Sequence, residues 1–171
     1  MALTQAQLVT LKADILADPI LNAHPMNPDG AFAIALAYSV IVTPDYWVWR
    51  TSVEKKEIVS QASQDGTTFT WAGSGFITRS VGEQTCWEQL FNSTQTCNPS
   101  LPNVRQAFQD IFSGAGNAAS NRTHLLVVGR RKANRVEKLF ATGLGTTGSP
   151  STMGFEGNLA YQDVENARSL P

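Results

Sequence analysis

The chain has 171 residues, of which 42% are apolar, and its formal net charge is −1. That length suits one globular domain with an appendage, and a nearly neutral chain has no overall field that would draw it to nucleic acid or to an anionic membrane. The longest apolar runs, near residues 31–42 and 125–128, are too short to span a bilayer. Because the first residues lack the basic and apolar regions of a signal peptide, synthesis and retention in a cytosol are expected.

The first forty residues predict two helices joined by a proline-containing loop. Residues 4–18 carry apolar side chains at three- and four-residue spacing, Thr4 is suited to cap the N-terminus, and Pro19 ends the helix. Asp29 is placed to cap a second helix, residues 31–39, which is apolar on nearly every side. A helix with that pattern is covered by its neighbours or by another subunit.

The middle third is predicted to contain a short helix at residues 52–59 and a β-hairpin. In residues 67–80, two segments of alternating polarity flank the turn sequence Ala-Gly-Ser-Gly, which is the pattern of a hairpin. Two strands alone are marginally stable, so this hairpin should pack on helices or on a neighbouring protein. Aromatic side chains concentrate in this region and are typical both of a core and of a protein–protein surface: Tyr46, Trp47, Trp49, Phe69, Trp71, Phe76 and Trp87.

Three further helices are predicted, at residues 82–91, 104–112 and 117–142. The last and longest has a polar side with six basic residues: Arg122, Arg130, Arg131, Lys132, Arg135 and Lys138. This basic side is either a solvated face with inter-subunit ion pairs or a contact for a phosphate backbone. Since aromatic side chains do not alternate with the charges, the pattern argues against readout of bases.

The last thirty residues differ in composition from the rest. Residues 141–157 are rich in glycine, threonine and serine, which favour extended or turning backbone, and a short amphipathic run at residues 159–170 follows. A free tail of this composition should lack order. We therefore expect residues 1–142 to form the body and residues 143–171 to form an arm that docks on another polypeptide, with Gly143, Gly145 and Gly148 as its hinge.

Patterns that would indicate catalysis or a cofactor are weak. Gly143, Gly145 and Gly148 match the spacing of a dinucleotide-binding loop, but a predicted helix precedes them and a proline-serine stretch follows, so a hinge is favoured. Neither His24 nor His124 has an evident nucleophile partner, and the two cysteines lack metal-ligand spacing. We expect no enzyme active site, no cofactor and no metal.

Four segments resemble a family of small tailed-bacteriophage structural proteins. They are residues 44–53 (PDYWVWRTSV), 103–112 (NVRQAFQDIF), 135–143 (RVEKLFATG) and 152–164 (TMGFEGNLAYQDV). The resemblance spans nearly the whole chain, and its nearest role is that of the head-to-tail connector, or adaptor, a ring protein beneath the portal.

The resemblance implies a mainly α fold: a helical bundle with a small β-hairpin insertion and an extended C-terminal arm. It implies a homo-oligomeric ring, typically of about twelve copies, in the neck of the virion after assembly in the host cytoplasm. The arm would insert between portal subunits, with Phe155, Leu159, Tyr161 and Val164 as candidate anchors. The basic residues would face DNA in the channel or an acidic portal surface, and the middle aromatic region would meet a tail or neck protein.

Other roles remain open at this stage. The chain is alternatively a tail-completion, tail-terminator or capsid-decoration protein, or a phage nucleic-acid-binding protein that uses the basic residues 122–138. A small enzyme ranks last, because no set of catalytic side chains can be assembled from the sequence.

Overall fold

The computed structural model describes residues 3–91 and 94–171, and these residues are mostly helical with short antiparallel strand pairs. The prediction of a mainly α fold is confirmed. The helices are α1 (Gln5–Ala17), α2 (Pro19–Asn22), α3 (Pro28–Tyr38), α4 (Lys55–Ser60), α5 (Val81–Phe91), α6 (Pro102–Ile111), α7 (Asn117–Val128), α8 (Arg135–Leu139) and α9 (Tyr161–Arg168). The strands are β1 (Trp47–Trp49), β2 (Val53–Glu54), β3 (Thr96–Cys97), β4 (Arg130–Lys132), β5 (Ala141–Thr142) and β6 (Thr152–Met153).

The chain divides into two compact units. Unit 1 consists of residues 1–48 and 132–171, and unit 2 consists of residues 49–131. The chain leaves unit 1 within β1 and returns to it within β4. The division predicted at residue 142, between a body and an arm, does not coincide with these units, because residues 143–171 belong to unit 1.

Helix α1 begins and ends where its sequence predicts. The Thr4 hydroxyl accepts a hydrogen bond from the Gln7 amide at 3.3 Å, and the Gln7 side chain accepts one from the Thr4 amide at 2.9 Å. These two bonds form a capping box, which satisfies amides that have no partner within the helix. At the other end, the Asp18 carboxylate accepts from the Ile20 amide at 2.9 Å and so caps α2.

The core of unit 1 is built from both ends of the chain. Helix α9 packs against α1 and α3, and strands β5 and β6 pair with Ala141 opposite Met153. The side chains that α1, α3 and α9 bring together are fully or almost fully buried: Leu11, Ile15, Ile34, Tyr38, Val164 and Ala167. The C-terminal helix is therefore a structural part of this unit.

This placement contradicts the prediction of an extended C-terminal arm. Three of the four candidate anchors, Phe155, Leu159 and Val164, are buried in the core of their own unit, and Tyr161 is 40% exposed. The segment also has polar attachments, since the Gln7 side chain donates to the Gly154 carbonyl at 3.0 Å. The few apolar residues of the segment suffice because α1 and α3 supply most of the core into which they fit.

A capped turn fixes the middle of the C-terminal segment. Buried Glu137 accepts hydrogen bonds from the amides of Gly157, at 3.0 Å, and Asn134, at 3.1 Å. The Asn134 side chain accepts from the Glu137 amide at 2.9 Å and donates to the Gly157 carbonyl at 3.0 Å. The start of α8 thus holds the segment in place through bonds to a buried carboxylate, which are stronger than bonds between neutral groups.

Unit 2 has a separate aromatic core. Trp87 and Phe91 are fully buried and their ring centroids lie 4.7 Å apart in an edge-to-face arrangement. Trp87 also contacts Phe69 and Phe112, with centroid separations of 5.4 and 5.5 Å. Strands β2 and β3 pair antiparallel beside this cluster, with Val53 opposite Cys97.

The β-hairpin predicted at residues 67–80 is wrong. This segment has no strand and contains a single 3₁₀ turn at Gly73–Gly75. The Asn121 side chain accepts from the Thr70 amide at 2.7 Å and donates to the carbonyls of Thr70 and Gly75, both at 2.9 Å. Because an asparagine of α7 satisfies these backbone groups, they need no partner strand.

The long helix predicted at residues 117–142 is also wrong, because the chain breaks after Val128. Gly129 caps α7, and a side chain there would meet Pro99 at 3.0 Å and the Leu125 carbonyl oxygen at 3.1 Å. The chain then forms β4, and the capping box of Asn134 and Glu137 starts the separate helix α8.

Candidate protein-interaction surfaces

His124, one of the two histidines considered for catalysis, has a structural role. His124 is fully buried, with Nε2 2.8 Å from the Ile58 carbonyl oxygen and Nδ1 3.0 Å from the Thr67 hydroxyl. Within residues 3–91 and 94–171, no group of three metal-ligating side chains is close enough to hold an ion. In the same residues, no helix combines the length and apolar character needed to cross a bilayer.

Both cysteines are free thiols in different surroundings. Cys86 is exposed on α5, whereas Cys97 is buried beside Val53 at the edge of the unit 2 core. Burial raises the pKa of the Cys97 thiol to about 12, because a thiolate would lose its hydration there. Cys97 is therefore an inert core residue.

The glycine loop predicted as a hinge forms a packed turn between β5 and β6. Gly143 and Gly145 have positive φ angles of 134° and 67°, and a side chain on Gly145 would overlap the ring of Tyr46. The Tyr46 hydroxyl bonds to the Ser151 hydroxyl at 2.7 Å. Gly145 thus allows close packing against an aromatic ring and Gly143 allows close packing against Ser151, whereas Gly148 faces open space.

The six predicted basic residues do not share one helix face. Arg122 lies on α7, and Arg130, Arg131 and Lys132 lie on β4, while Arg135 and Lys138 lie on α8. The unit boundary between residues 131 and 132 also divides them between the two units, so the continuous basic face expected from the sequence is wrong.

Most of these basic side chains are occupied by partners within their own unit. Arg122 donates to the Phe112 carbonyl, Arg130 pairs with Asp65 at 2.8 Å, and Lys132 pairs with Asp45 at 2.8 Å. Arg131 also makes an interaction of its own. Lys138 is exposed and lies 5.6 Å from the centre of the Tyr46 ring. Contact of these residues with DNA stays a prediction, without the concentrated positive charge that motivated it.

Arg135 joins α8 to α1 through two carboxylates. It lies 3.0 Å from Asp14 and 2.8 Å from Asp18, and its guanidinium lies 4.8 Å from the centre of the Tyr38 ring. Burial opposes its charge, but the hydrogen bonds that it donates to the two aspartates raise the pKa of Arg135, and its bond to Asp18 lowers the pKa of that carboxyl. The charges of this cluster are paired with one another, and the cluster stabilises the packing of α8 against α1.

An exposed apolar stripe on α3 is the first candidate interaction surface. Phe32, Leu36, Val40 and Ile41 are 62, 61, 61 and 50% exposed, and we call these four residues the α3 surface. Phe32 and Leu36 lie on the side of α3 opposite its buried positions Ile34 and Tyr38. Such a contiguous apolar surface is uncommon on a monomer and marks interaction sites.

The α3 surface continues into a cleft of about 610 Å³. Val40 and Ile41 belong to both the α3 surface and the cleft. The walls of the cleft combine aliphatic residues with charged groups from α1 and α8: Asp14, Ala37, Val40, Ile41, Val42, Thr43, Arg135, Lys138 and Leu139. The sequence indicated this site through the apolar character of residues 31–39, but it gave no sign of the cleft, which requires α8 beside α3.

A second apolar surface lies on unit 2. Trp71, Ile77 and Val81 are 44, 68 and 82% exposed, and we call them the loop surface. Arg79 holds this loop by donating to the Ser74 carbonyl at 3.0 and 2.9 Å and to the Ile111 carbonyl at 3.1 Å. The sequence picked out Trp71 but missed Ile77 and Val81, because Ile77 falls in the predicted hairpin at residues 67–80 and Val81 lies between this hairpin and the helix predicted at residues 82–91.

Of the aromatic residues in the middle third, several lie in or against the unit 2 core, and Trp71 is also partly exposed. Phe69 and Trp87 are buried in the unit 2 core, and Phe76 packs against that core. Trp71 combines both roles, because its ring lies edge-to-face with Phe69 at 4.9 Å while much of its surface meets solvent. The core therefore holds the exposed ring in a fixed position.

Comparison with known proteins gave no match: no family model fits the chain, and neither a curated protein nor a solved structure matches it significantly.

Proposed function

We propose that this chain is a structural protein of a tailed-bacteriophage particle, located in the neck between portal and tail, which acts through protein–protein contacts without catalytic turnover. The observation that carries the proposal is that each of the two units exposes its own apolar surface, the α3 surface on unit 1 and the loop surface on unit 2. A subunit that joins different neighbours needs at least two such surfaces.

The exposed side chains are large enough to stabilise an assembly. Full burial of a Leu, Ile, Val or Phe side chain contributes about 1.5–3 kcal/mol, and those of the α3 surface retain half or more of their exposure for a partner to remove. In a particle with many copies, such modest contacts add up to a durable structure.

The loop surface is suited to a neck or tail neighbour because its backbone is already fixed. Asn117 and Asn121 of α7 bond to the carbonyls of Ala72, Thr70 and Gly75. A loop held in this way loses little conformational freedom on binding, which leaves more of the contact energy for affinity.

The proposal keeps the portal and a tail or neck protein as partners but no longer gives the portal contact to residues 143–171, which serve the core of unit 1. Assembly of about twelve copies into a ring remains the arrangement that the family resemblance implies. A tail-completion or decoration position is the alternative within the virion.

Quantitative mass spectrometry of purified particles of the encoding virus tests the proposal. We expect the chain in mature particles at about twelve copies, and separate heads and tails when its gene is deleted. Ile77→Asp with Val81→Asp should give the same assembly defect, whereas the control Leu144→Asp, at an exposed position of unit 1, should not. Absence from particles, or normal particles after deletion, would refute it.

Nucleic-acid binding is the alternative function and has its own test. An isolated chain that bound duplex DNA with an affinity falling steeply with salt would favour it. We expect weak binding instead, because Arg122, Arg130 and Arg135 are engaged with carbonyl or carboxylate oxygens.

A further inference from the structure

We propose that the α3 surface binds the α3 surface of a second copy of this chain, with the two α3 helices antiparallel and a two-fold axis near Leu36. The pairing belongs to the free chain, so it goes beyond the proposed function and does not depend on it. Three features of unit 1 carry the inference: the spacing of the exposed residues, the position of the cleft and the placement of two charges.

The spacing makes α3 complementary to itself. Asp29, Phe32 and Leu36 follow one another at three- and four-residue intervals, which places them on one side of the helix. Val40 continues this side, because Ser39 keeps helical backbone angles beyond the last residue of α3. Phe32 lies four residues before Leu36, and Val40 lies four residues after it. If two copies of the helix run antiparallel with their Leu36 side chains facing each other, Phe32 of one copy therefore lies opposite Val40 of the other.

The cleft then receives the largest side chain of the stripe. Phe32 has no pocket of its own and is 62% exposed. The residue opposite it in the antiparallel pair, Val40, lines the cleft of about 610 Å³ together with Ala37 and Leu139. Each copy therefore offers one protruding aromatic ring and one cleft with aliphatic walls at Ala37, Val40 and Leu139, which is the relation that a two-fold contact requires.

The charges agree with the same register. Asp29 is exposed at the N-terminal end of the stripe, seven residues before Leu36, and in the antiparallel pair it lies beyond the C-terminal end of the other copy's α3, on the side where that copy has its cleft. Thr43 lines the cleft beside Lys138, which is exposed and has no carboxylate at ion-pair distance within residues 3–91 and 94–171. The other charged groups of the cleft, Asp14 and Arg135, already pair with each other. An Asp29–Lys138 ion pair would thus form twice in the dimer.

A second copy fits this surface better than an unrelated partner, because both the apolar and the charged features find their complements on the same molecule. A parallel pairing would bring Asp29 close to Asp29 and would leave the cleft unfilled. The antiparallel arrangement also covers Phe32, Leu36 and Val40 of both copies in one contact.

Sedimentation equilibrium of the full chain tests the pairing. We expect a reversible monomer–dimer equilibrium, and we expect Leu36→Glu to weaken the dimer by at least about 100-fold, because a charge would be buried at the axis. The matched control is Leu16→Glu, at a position of α1 that is 55% exposed and lies outside the α3 surface. Circular dichroism should show the same helical content for all three proteins.

A charge exchange tests the antiparallel register itself. We expect Asp29→Lys or Lys138→Asp alone to weaken the dimer about three- to tenfold and the double variant to restore it. A chain that stays monomeric up to about 1 mM, a Leu36→Glu variant that dimerises normally, or charge reversals without mutual rescue would each overturn the proposal. None of these results would bear on whether the chain is found in phage particles.

Discussion

The two units differ in how the chain builds them. Unit 2 is one continuous stretch, residues 49–131, around an aromatic core, whereas unit 1 joins residues 1–48 to residues 132–171. In unit 1 the helices that meet, α1, α3 and α9, come from opposite ends of the sequence. The comparison shows that a segment poor in apolar residues gains order from distant parts of its own chain, and no second polypeptide is needed for it.

The difference also shows how few core contacts are needed to order the C-terminal segment, residues 143–171. Residues 143–171 place Phe155, Leu159, Val164 and Ala167 in the core, and buried Glu137 fixes the turn at Gly157. Composition alone indicated an arm that docks on another polypeptide, because the abundance of glycine, serine and threonine conceals these few decisive positions.

Truncation after residue 142 should produce the largest difference in stability between the two units. Removing α9 exposes the apolar sides of α1 and α3, so we expect unit 1 to unfold while unit 2 keeps its core. Limited proteolysis with mass spectrometry should then leave a resistant fragment close to residues 49–131. Protection of residues 3–48 in the truncated chain would contradict this interpretation of unit 1.

Replacing Glu137 by alanine should have a smaller effect on unit 1. The substitution leaves the amides of Gly157 and Asn134 without their charged acceptor, and each lost bond of this kind costs about 1.5–3 kcal/mol. Urea unfolding followed by circular dichroism measures the loss. Glu54→Ala is the control, since Glu54 is exposed at the start of α4 and its side chain makes no capping bond; equal effects of the two substitutions would remove the proposed role of the buried carboxylate.

The smallest expected effect is a pH dependence in unit 2. Hydrogen bonds from the Ser80 amide at 2.7 Å and the Ser80 hydroxyl at 2.8 Å lower the pKa of Glu83 in the folded state. Because the folded pKa lies below the unfolded one, this stabilisation is complete above the unfolded pKa and is lost as the pH falls through the folded pKa. Ser80→Ala should cost about 0.5–2 kcal/mol near neutral pH.

The matching substitution is Glu83→Gln, which removes the titrating group. Thermal unfolding monitored between about pH 6 and pH 3 should show a shallower decline for this variant than for the unchanged chain. Glu54→Gln serves as the exposed control. A decline that is equally steep in the Glu83→Gln variant would assign the acid sensitivity to other carboxylates.

Local signals in the sequence predicted several elements well. Thr4 and Pro19 mark the ends of α1, and the predicted helices at residues 82–91 and 104–112 correspond closely to α5 and α6. These predictions succeeded because caps, prolines and apolar periodicity act over a few residues.

The errors have a common physical cause: contacts between residues that are distant in the sequence, through hydrogen bonds or through packing. The hairpin failed because Asn121 of α7 occupies the backbone groups of Thr70 and Gly75. The long helix failed at Gly129, which caps α7 and packs closely against Pro99. The spacing of Asn134 and Glu137 was a readable capping signal for the new helix α8, whereas the cleft beside α3 had no local signature.

Unit 1 is built from two separate stretches of the chain, and this has a consequence for biosynthesis. The ribosome makes α1 and α3 first, but their core partner α9 emerges last, after all of unit 2. Unit 2 can therefore fold during translation, while the apolar sides of α1 and α3 must wait until α9 has been synthesised. Until α9 emerges, a nascent chain of this protein therefore exposes the apolar sides of α1 and α3 that α9 covers in the folded unit.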